Sequence, residues 1–205
     1  MTRNEIIAAV RARMDEINPL QEGTTIADPQ IEAQLDYAAV NLMEMLPSVL
    51  AYPVDAGATD HENYIEDYSI DIICPADFLR LHKLKLTDWN RSISDLLPAN
   101  HPKIDLQIYK HVKATVNKPI GVLSRNATRD IITCFPAPDD ELYVVEQFLY
   151  VKKPDNAESL QDDLIDLLTW VCASMIYSIH GQPSFANLAK EKLMQGMEGK
   201  LKYRS

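Results

Sequence analysis

The apolar periodicity of this 205-residue chain changes twice, and that change limits the folds open to it more than any other feature. Thr2 with Glu5 three residues on is a capping-box pattern, and Ile6, Val10, Met14 and Ile17 follow at spacings of four, four and three. A first helix is predicted up to Asn18 and Pro19. Asp28 before Pro29 supplies an N-cap and a first-turn proline, and Ile31, Leu35, Ala38, Leu42 and Met45 mark one face of a second helix running toward Pro47. Toward the other end, Lys153, Pro154, Asp155 and Asn156 interrupt the chain. Ser159 with Asp162 then caps a helix whose Leu160, Leu164, Leu167, Leu168, Val171, Met175 and Ile179 form a broad apolar face, with Gly181 as its C′ residue. Pro183 opens a last helix striped by Phe185, Leu188, Ala189 and Leu193, with Lys190 and Lys192 on its polar side.

The middle of the chain has a different character. Residues 68–74 read as a strand stopped by Pro75, followed by a helical turn over 76–81 and an extended stretch through Leu84, Leu86 and Ile93 around Trp89. Ile104, Ile108 and Val112 have helical spacing, which predicts a short helix after Pro102 that ends before Asn117. Residues 120–124, 130–135 and 142–151 read as three strands separated by turn-rich segments, so that two hairpins make a small antiparallel sheet. Residues 51–68 lose periodicity and gain Pro, Gly and acids, which reads as a long surface loop or arm. Helices segregated from antiparallel strands define the α+β class.

Composition is ordinary for a globular chain, 46% hydrophobic and 24% charged, and the length suits one domain or two small ones. A single domain over 1–205 is expected. Thirty Asp and Glu against twenty Lys and Arg leave a net charge of −10, which speaks against gripping nucleic acid by phosphate neutralisation. The charge is also blocked: residues 14–79 hold fourteen acids and no Lys or Arg, whereas residues 80–135 hold ten bases and four acids. Such blocks are either solvated faces or complementary surfaces. In the second case the acidic face of one copy meets the basic face of the next, a head-to-tail contact that closes into a ring.

Catalytic signatures are missing. There is no phosphate-binding glycine loop and no nucleophile elbow, and His61 with Glu62 is followed by Asn63, Tyr64 and Ile65, without the second zinc-ligand histidine. Asp139, Asp140 and Glu141 lack the ligand alternation and glycine of a calcium loop and read as a solvated turn. His61, His82, His101, His111 and His180 are scattered. Cys74, Cys134 and Cys172 are odd in number and far apart, as suits small buried hydrophobes in a reducing compartment rather than a disulfide framework. No signal peptide or membrane-spanning run is read, so the two glycosylation sequons, Asn90-Arg91-Ser92 and Asn126-Ala127-Thr128, are chance matches. The basic region 80–135 holds Trp89, Tyr109 and Phe135, yet carries no nucleic-acid-binding motif. Asp77, His82 and Asp88 are the nearest approach to an acid/base set, and no catalytic, metal or cofactor residue is assigned. Met43, Met45, Met175, Met194 and Met197 suit core or an adaptable interface.

Several stretches together give the chain a likeness. A strand leads into Ile73-Cys74-Pro75-Ala76-Asp77-Phe78-Leu79-Arg80, a strand-then-P-x-D-F-x-R step, followed by Leu84-Lys85-Leu86 and Trp89-Asn90-Arg91. Asn117-Lys118-Pro119 precedes the paired strands, Phe135-Pro136 ends one of them, and Phe148-Leu149-Tyr150-Val151-Lys152-Lys153-Pro154 closes the sheet before the long helix. In this order, over roughly residues 28–195, the chain resembles the head-to-tail connector proteins of short-tailed phages, the adaptor or tail-tubular ring proteins, including those of crAss-like phages. The acidic stretch 51–68 has no counterpart in that pattern.

The resemblance implies a helical bundle, built from helices over about 3–46 and 158–197, with a small antiparallel β-domain inserted over about 69–153. It implies a non-enzymatic virion-neck protein, assembled as a homo-oligomeric ring of about a dozen copies. Such a ring bridges the portal protein and the neighbouring tail or ring proteins and continues a channel through which DNA passes without specific binding; no cofactor or membrane is involved. A basic C-terminal tail, 196–205, then reaches the portal, with Lys200, Leu201, Lys202, Tyr203 and Arg204 as docking residues. An acidic wall suits such a channel, because it repels phosphate and lets a duplex slide. The alternative from another class is a cytoplasmic, non-enzymatic binding or regulatory adaptor that engages one basic protein partner.

Overall fold

Thr2 and Glu5 cap each other as their spacing predicts: the Glu5 amide donates to Thr2 Oγ1 at 3.4 Å and the Thr2 amide to Glu5 Oε2 at 2.7 Å. The computed structural model describes residues 1–19, 26–57, 61–64 (backbone only), 68–109, 111–125, 129–138 and 144–203. The fold is α+β. In place of one domain, the chain divides into two compact units, Met1–Ala51 with Lys153–Ser205, and Tyr52–Lys152. Among the described residues no helix is long and apolar enough to cross a membrane.

The first unit is helical. α1 (Arg3–Ile17) buries Ile6, Ile7, Val10, Met14 and Ile17, one stripe of its surface. α2 (Asp28–Met45) buries Ile31, Leu35, Ala38, Ala39, Leu42 and Met43, while Met45, expected on that face, is half exposed. Its N-cap is Ala27 rather than Asp28. Arg11 draws the Asp28 carboxylate away, and Gln30 Oε1 takes over by accepting from the Ala27 amide at 2.8 Å.

α3 (Ile165–Ile179) begins later than the Ser159 and Asp162 pattern predicts. Asn156 and Ser159 instead cap a 3-10 turn, Ala157–Ser159, and a second 3-10 turn, Asp162–Leu164, leads into the helix. α3 is buried on almost every side, from Ile165 through Tyr177, as suits a helix that is apolar all round and packs against the other three. Its polar groups are answered locally: Thr169 Oγ1 donates to the Asp166 carbonyl at 2.7 Å and the Tyr177 hydroxyl to the Met14 carbonyl at 2.9 Å. Gly181, at φ +69°, makes the left-handed turn into α4 (Pro183–Lys202).

α4 overturns the expectation of a tail from residue 196. Its buried stripe of Ala186, Ala189 and Leu193 takes one more four-residue step to Met197, so 196–202 remain helical, with Lys200 and Lys202 in the last turn, where cations suit the helix terminus.

Arg3 ties this unit together electrostatically. Its guanidinium donates to Glu32 and Asp36 on α2 and to Glu158 in the 3-10 turn, at 3.1–3.3 Å. Arg11 pairs with Asp28, Arg13 with Glu16 and Asp166, and Arg13 also lies 5.0 Å over the Trp170 ring. The basic face of α1 therefore meets acids brought from the block 14–79 and from the second helical pair.

The second unit holds eight strands among the described residues: β1 (Val54–Asp55), β2 (His61–Tyr64), β3 (Ser69–Ile73), β4 (Phe78–Leu86), β5 (Leu97–Pro98), β6 (Ile120–Arg125), β7 (Asp130–Phe135) and β8 (Val145–Lys152). One sheet runs β1-β8-β4 and the other β2-β3-β7-β6-β5. β6 and β7 form the expected hairpin, but β8 leaves them and pairs with β4 instead. The β5–β6 pair is parallel, so the second sheet is mixed rather than purely antiparallel.

Three expectations change here. The helical turn over 76–81 gives way to a tight turn, closed by the Phe78 amide donating to the Pro75 carbonyl at 2.9 Å, and then to β4. A register shift between Leu81 and Lys83 breaks the alternation that would have announced this strand. The loop or arm at 51–68 instead contributes β1 and β2, which pair with β8 and β3, so the inserted unit starts at Tyr52 rather than near 69. Residues 58–60 and 65–67 of that stretch lie outside the described residues. The helix predicted after Pro102 shrinks to one 3-10 turn, Asp105–Ile108, because Tyr109 is extended at ψ 117°.

One apolar core draws on both sheets: Ile70 and Ile72 from β3, Leu84 and Leu86 from β4, Ile132 and Cys134 from β7, and Phe148 from β8. On the other face, Ala114, Val122 and Phe135 pack with Leu97, Ile104 and Ile120. A Cβ at Gly121 would lie 2.6 Å from Ile93 Cδ1 and 2.8 Å from Leu96 Cδ2, so the ends of those two side chains occupy the space that glycine leaves. Trp89 is 2% exposed and its indole N–H donates to the Pro136 carbonyl at 2.9 Å.

Two outcomes test this packing. Trp89→Phe, which removes buried volume and a donor together, lowers stability by about 2 kcal/mol, read as a reduced urea midpoint at unchanged slope; an unchanged midpoint would deny Trp89 its core role. Arg3→Met costs about 1 kcal/mol at neutral pH, as partly exposed pairs acting as a network do. The hydrogen bond from Arg3 holds the Asp36 carboxyl below its ordinary value. Its stabilisation is therefore complete above the unfolded value of about 3.9 and is lost as pH falls through the lowered folded value. Thermal melts should show the gap between wild type and Arg3→Met at pH 7 closing below about pH 4; a gap independent of pH would assign the loss to Arg3's carbon stem.

Candidate functional site

Two of the stretches on which the resemblance rests meet on neighbouring strands. Pro75-Ala76-Asp77-Phe78-Leu79-Arg80 turns into β4, and Phe148-Leu149-Tyr150-Val151-Lys152-Lys153-Pro154 includes the end of β8, which pairs with β4 with Phe78 opposite Lys152 and Leu81 opposite Tyr150. The Asp77 carboxylate accepts from the Tyr150 hydroxyl at 2.8 Å and lies 3.4 Å from Lys152 Nζ. Burial first, and then Asp77, push the Tyr150 phenol up to about 12. Beside this pair the rings of Phe78, Phe148 and Tyr150 gather with centroids 5.9–6.1 Å apart. An aromatic cluster with one charge-assisted polar bond at its rim locks the strand pair in register.

The acid/base set does not assemble. Asp77 precedes β4, half-buried His82 lies within it, and exposed Asp88 follows its end. At about 3.3 Å per residue, the four strand steps from Phe78 to His82 already span about 13 Å and the eight from Phe78 to Leu86 about 26 Å, which keeps the three groups apart. The thiols are equally unsuited to nucleophilic work. Burial pushes Cys74 and Cys172 up to about 12 and holds Cys134 well above the ordinary thiol range, so all three are protonated at neutral pH. All three are buried, as their isolation in the sequence predicts. Among the described residues no three His, Cys, Asp or Glu side chains gather where they could hold a metal ion. Asp139, Asp140 and Glu141 lie outside the described residues, as do Asn126, Ala127 and Thr128.

The residues proposed from the resemblance to dock a partner occupy the end of α4. Lys200, Leu201 and Lys202 form its last turn, and Tyr203 follows as the C-cap with 94% of its surface exposed. Arg204 lies outside the described residues. Among the methionines, Met43 and Met197 are core, Met175 accepts from Asn41 Nδ2 at 3.3 Å, and Met45 and Met194 are about half exposed.

A further surface escapes the sequence reading. Ile104 turns inward against Ala114 and Val122, but Leu106, Ile108, Tyr109 and Val112 stand 38–81% exposed. The partly buried Gln107 bonds to the segment's own backbone: its Nε2 donates to the Lys103 carbonyl at 2.7 Å and its Oε1 accepts from the Ala114 amide at 2.7 Å. The signal was present as the apolar repeat at 104, 108 and 112, but spacing alone does not say which way a face points.

Comparison with known proteins adds no relative to this geometry: the chain matches no family model and no curated protein.

Proposed function

We propose that this chain is a structural subunit of a virion neck: a non-enzymatic connector that assembles from identical copies into a ring, binds the portal protein on one side and tail or further ring proteins on the other, and continues the DNA channel. The observation that carries the reading is the pairing of β4 and β8. It joins two of the stretches on which the phage connector likeness rests in one cross-braced strand pair, inside a β unit inserted between two helical pairs. The net charge of −10 suits a wall past which DNA slides. In this reading Lys200, Leu201, Lys202, Tyr203 and Arg204 contact the portal, and the exposed Tyr203 anchors that contact.

Light scattering on the purified chain, alone and mixed with the portal protein of the same virion at low and moderate salt, tests the reading. A ring-sized species forms with portal, and the triple variant Lys200→Gln, Lys202→Gln, Tyr203→Ser weakens it while leaving the helix content intact. Point changes are the right probe, because deleting 196–205 would also remove the buried Met197. A folded monomer indifferent to portal overturns the connector reading and favours the adaptor for a basic protein.

A further inference from the structure

We propose that the apolar segment at 106–112 is the surface by which one copy of this chain seats on the outer face of α2 of the next. The inference deepens the ring reading above and rests on it for the identity of the partner, but it stands on its own observations.

The segment is built to present apolar groups. Successive backbone bonds fold it on itself: Tyr109 N–H donates to Leu106 O at 3.1 Å, and Val112 N–H and Lys113 N–H to Tyr109 O at 3.1 and 3.0 Å. Gln107 braces it from within and Ile104 fastens it to the core beneath, so Leu106, Ile108 (81% exposed), Tyr109 and Val112 are held outward on an anchored base. Lys113 extends the surface by covering the exposed Tyr68 ring at 3.7 Å. Exposed apolar groups clustered in this way mark interaction surfaces, whereas scattered ones need no explanation. The surround is basic, with Lys103, Lys113 and Lys118 against Asp105 alone among the described charges of 101–119.

The complementary surface is on the same chain. α2 and the turn after it leave Tyr37 (70% exposed), Met45 and Val49 uncovered, beside the exposed Glu44, within a stretch that contains no Lys or Arg. Tyr37, Asn41 and Met45 follow at i, i+4, i+8, one edge of the helix. The acids nearer its start, Asp28, Glu32 and Asp36, are engaged by Arg11 and Arg3, which leaves Glu44 as the charge beside this apolar edge. A basic-rimmed apolar knob and an acid-marked apolar edge on one molecule make a heterologous contact, the kind that propagates head to tail.

Two variants and their mixture test the contact by sedimentation, alone and in the portal-assembled state. Ile108→Asp with Tyr109→Ser removes the knob, and Tyr37→Asp spoils the receiving edge; all three side chains are exposed, so both variants keep the wild-type melting behaviour. Each weakens self-association at least about tenfold, as loss of a central anchor does. Each variant retains one good surface, so their equimolar mixture forms a one-to-one dimer and nothing larger. Glu44→Lys weakens wild-type association, and Lys103→Glu in the same chain restores part of it. Association unchanged in both single-surface variants overturns this contact and leaves the ring reading standing. Loss of portal binding by the knob variant with copy-to-copy association intact also overturns it and assigns the knob to the portal. Wild-type assemblies that grow with concentration without limit keep the contact and overturn the closed ring. A wild-type chain that associates neither alone nor with portal overturns both.

Discussion

Helix α3 is apolar on nearly every side, and the helical unit is the arrangement that keeps water from it. Neither pair of helices could do this alone. α1 and α2 precede the inserted unit, α3 and α4 follow it, and α3 takes packing from all three partners, so the chain must travel through the β unit and come back before its most hydrophobic helix is covered. Closing so long a loop costs entropy that grows only logarithmically with its length, which is why a folded insertion can be tolerated there. The β unit makes its own return tidy: β1, by which the chain enters, pairs with β8, by which it leaves.

The arginines of α1 follow from that constraint. Burying α3 brings the acids of α2, of the 3-10 turn at 157–159 and of α3's first turn around the three arginines of one helix. Arg3, Arg11 and Arg13 take the places that meet them. Charge blocks that look in sequence like candidates for contact between copies are thus partly answered within one chain. Exposed pairs of this kind contribute little individually, and their value lies in fixing which helix faces which. What stays available for contact with another molecule is the charge that this pairing does not engage, and Glu44 on α2 is the clearest case.

Much of the fold was legible in the residues because the relevant signals are local. The capping box at Thr2 and Glu5, the left-handed Gly181 and the alternation in β6 and β7 each depend on a few consecutive positions. The misses have equally specific causes. The bulge in β4 disrupts the two-residue period, β1 and β2 are too short to show one, and Asp28 was claimed by Arg11, seventeen residues away. The start of α3 was misplaced because Ser159 and Asp162 fit a capping pattern that a 3-10 turn satisfies just as well. Of the candidate site, the position of Lys200 to Tyr203 at the end of a regular helix could be anticipated only in part. A stripe ending at Leu193 gives no warning of one more step to Met197.

The segment at 106–112 shows why the outward face was harder to read than the core. A repeat at 104, 108 and 112 describes a line of apolar groups and is silent about which side of that line the protein occupies. Burial resolves it: only Ile104 enters the core, because the chain straightens at Tyr109 and the helical line breaks there. Once broken, a segment free to choose would place Ile108 against the protein, since exposing a large apolar side chain is the costlier arrangement. The Gln107 bonds to Lys103 and Ala114 hold the opposite choice. An arrangement that opposes the solvent preference of its own side chains, and that is braced by specific hydrogen bonds, is a local inconsistency of the sort that functional surfaces produce and that ordinary loops avoid.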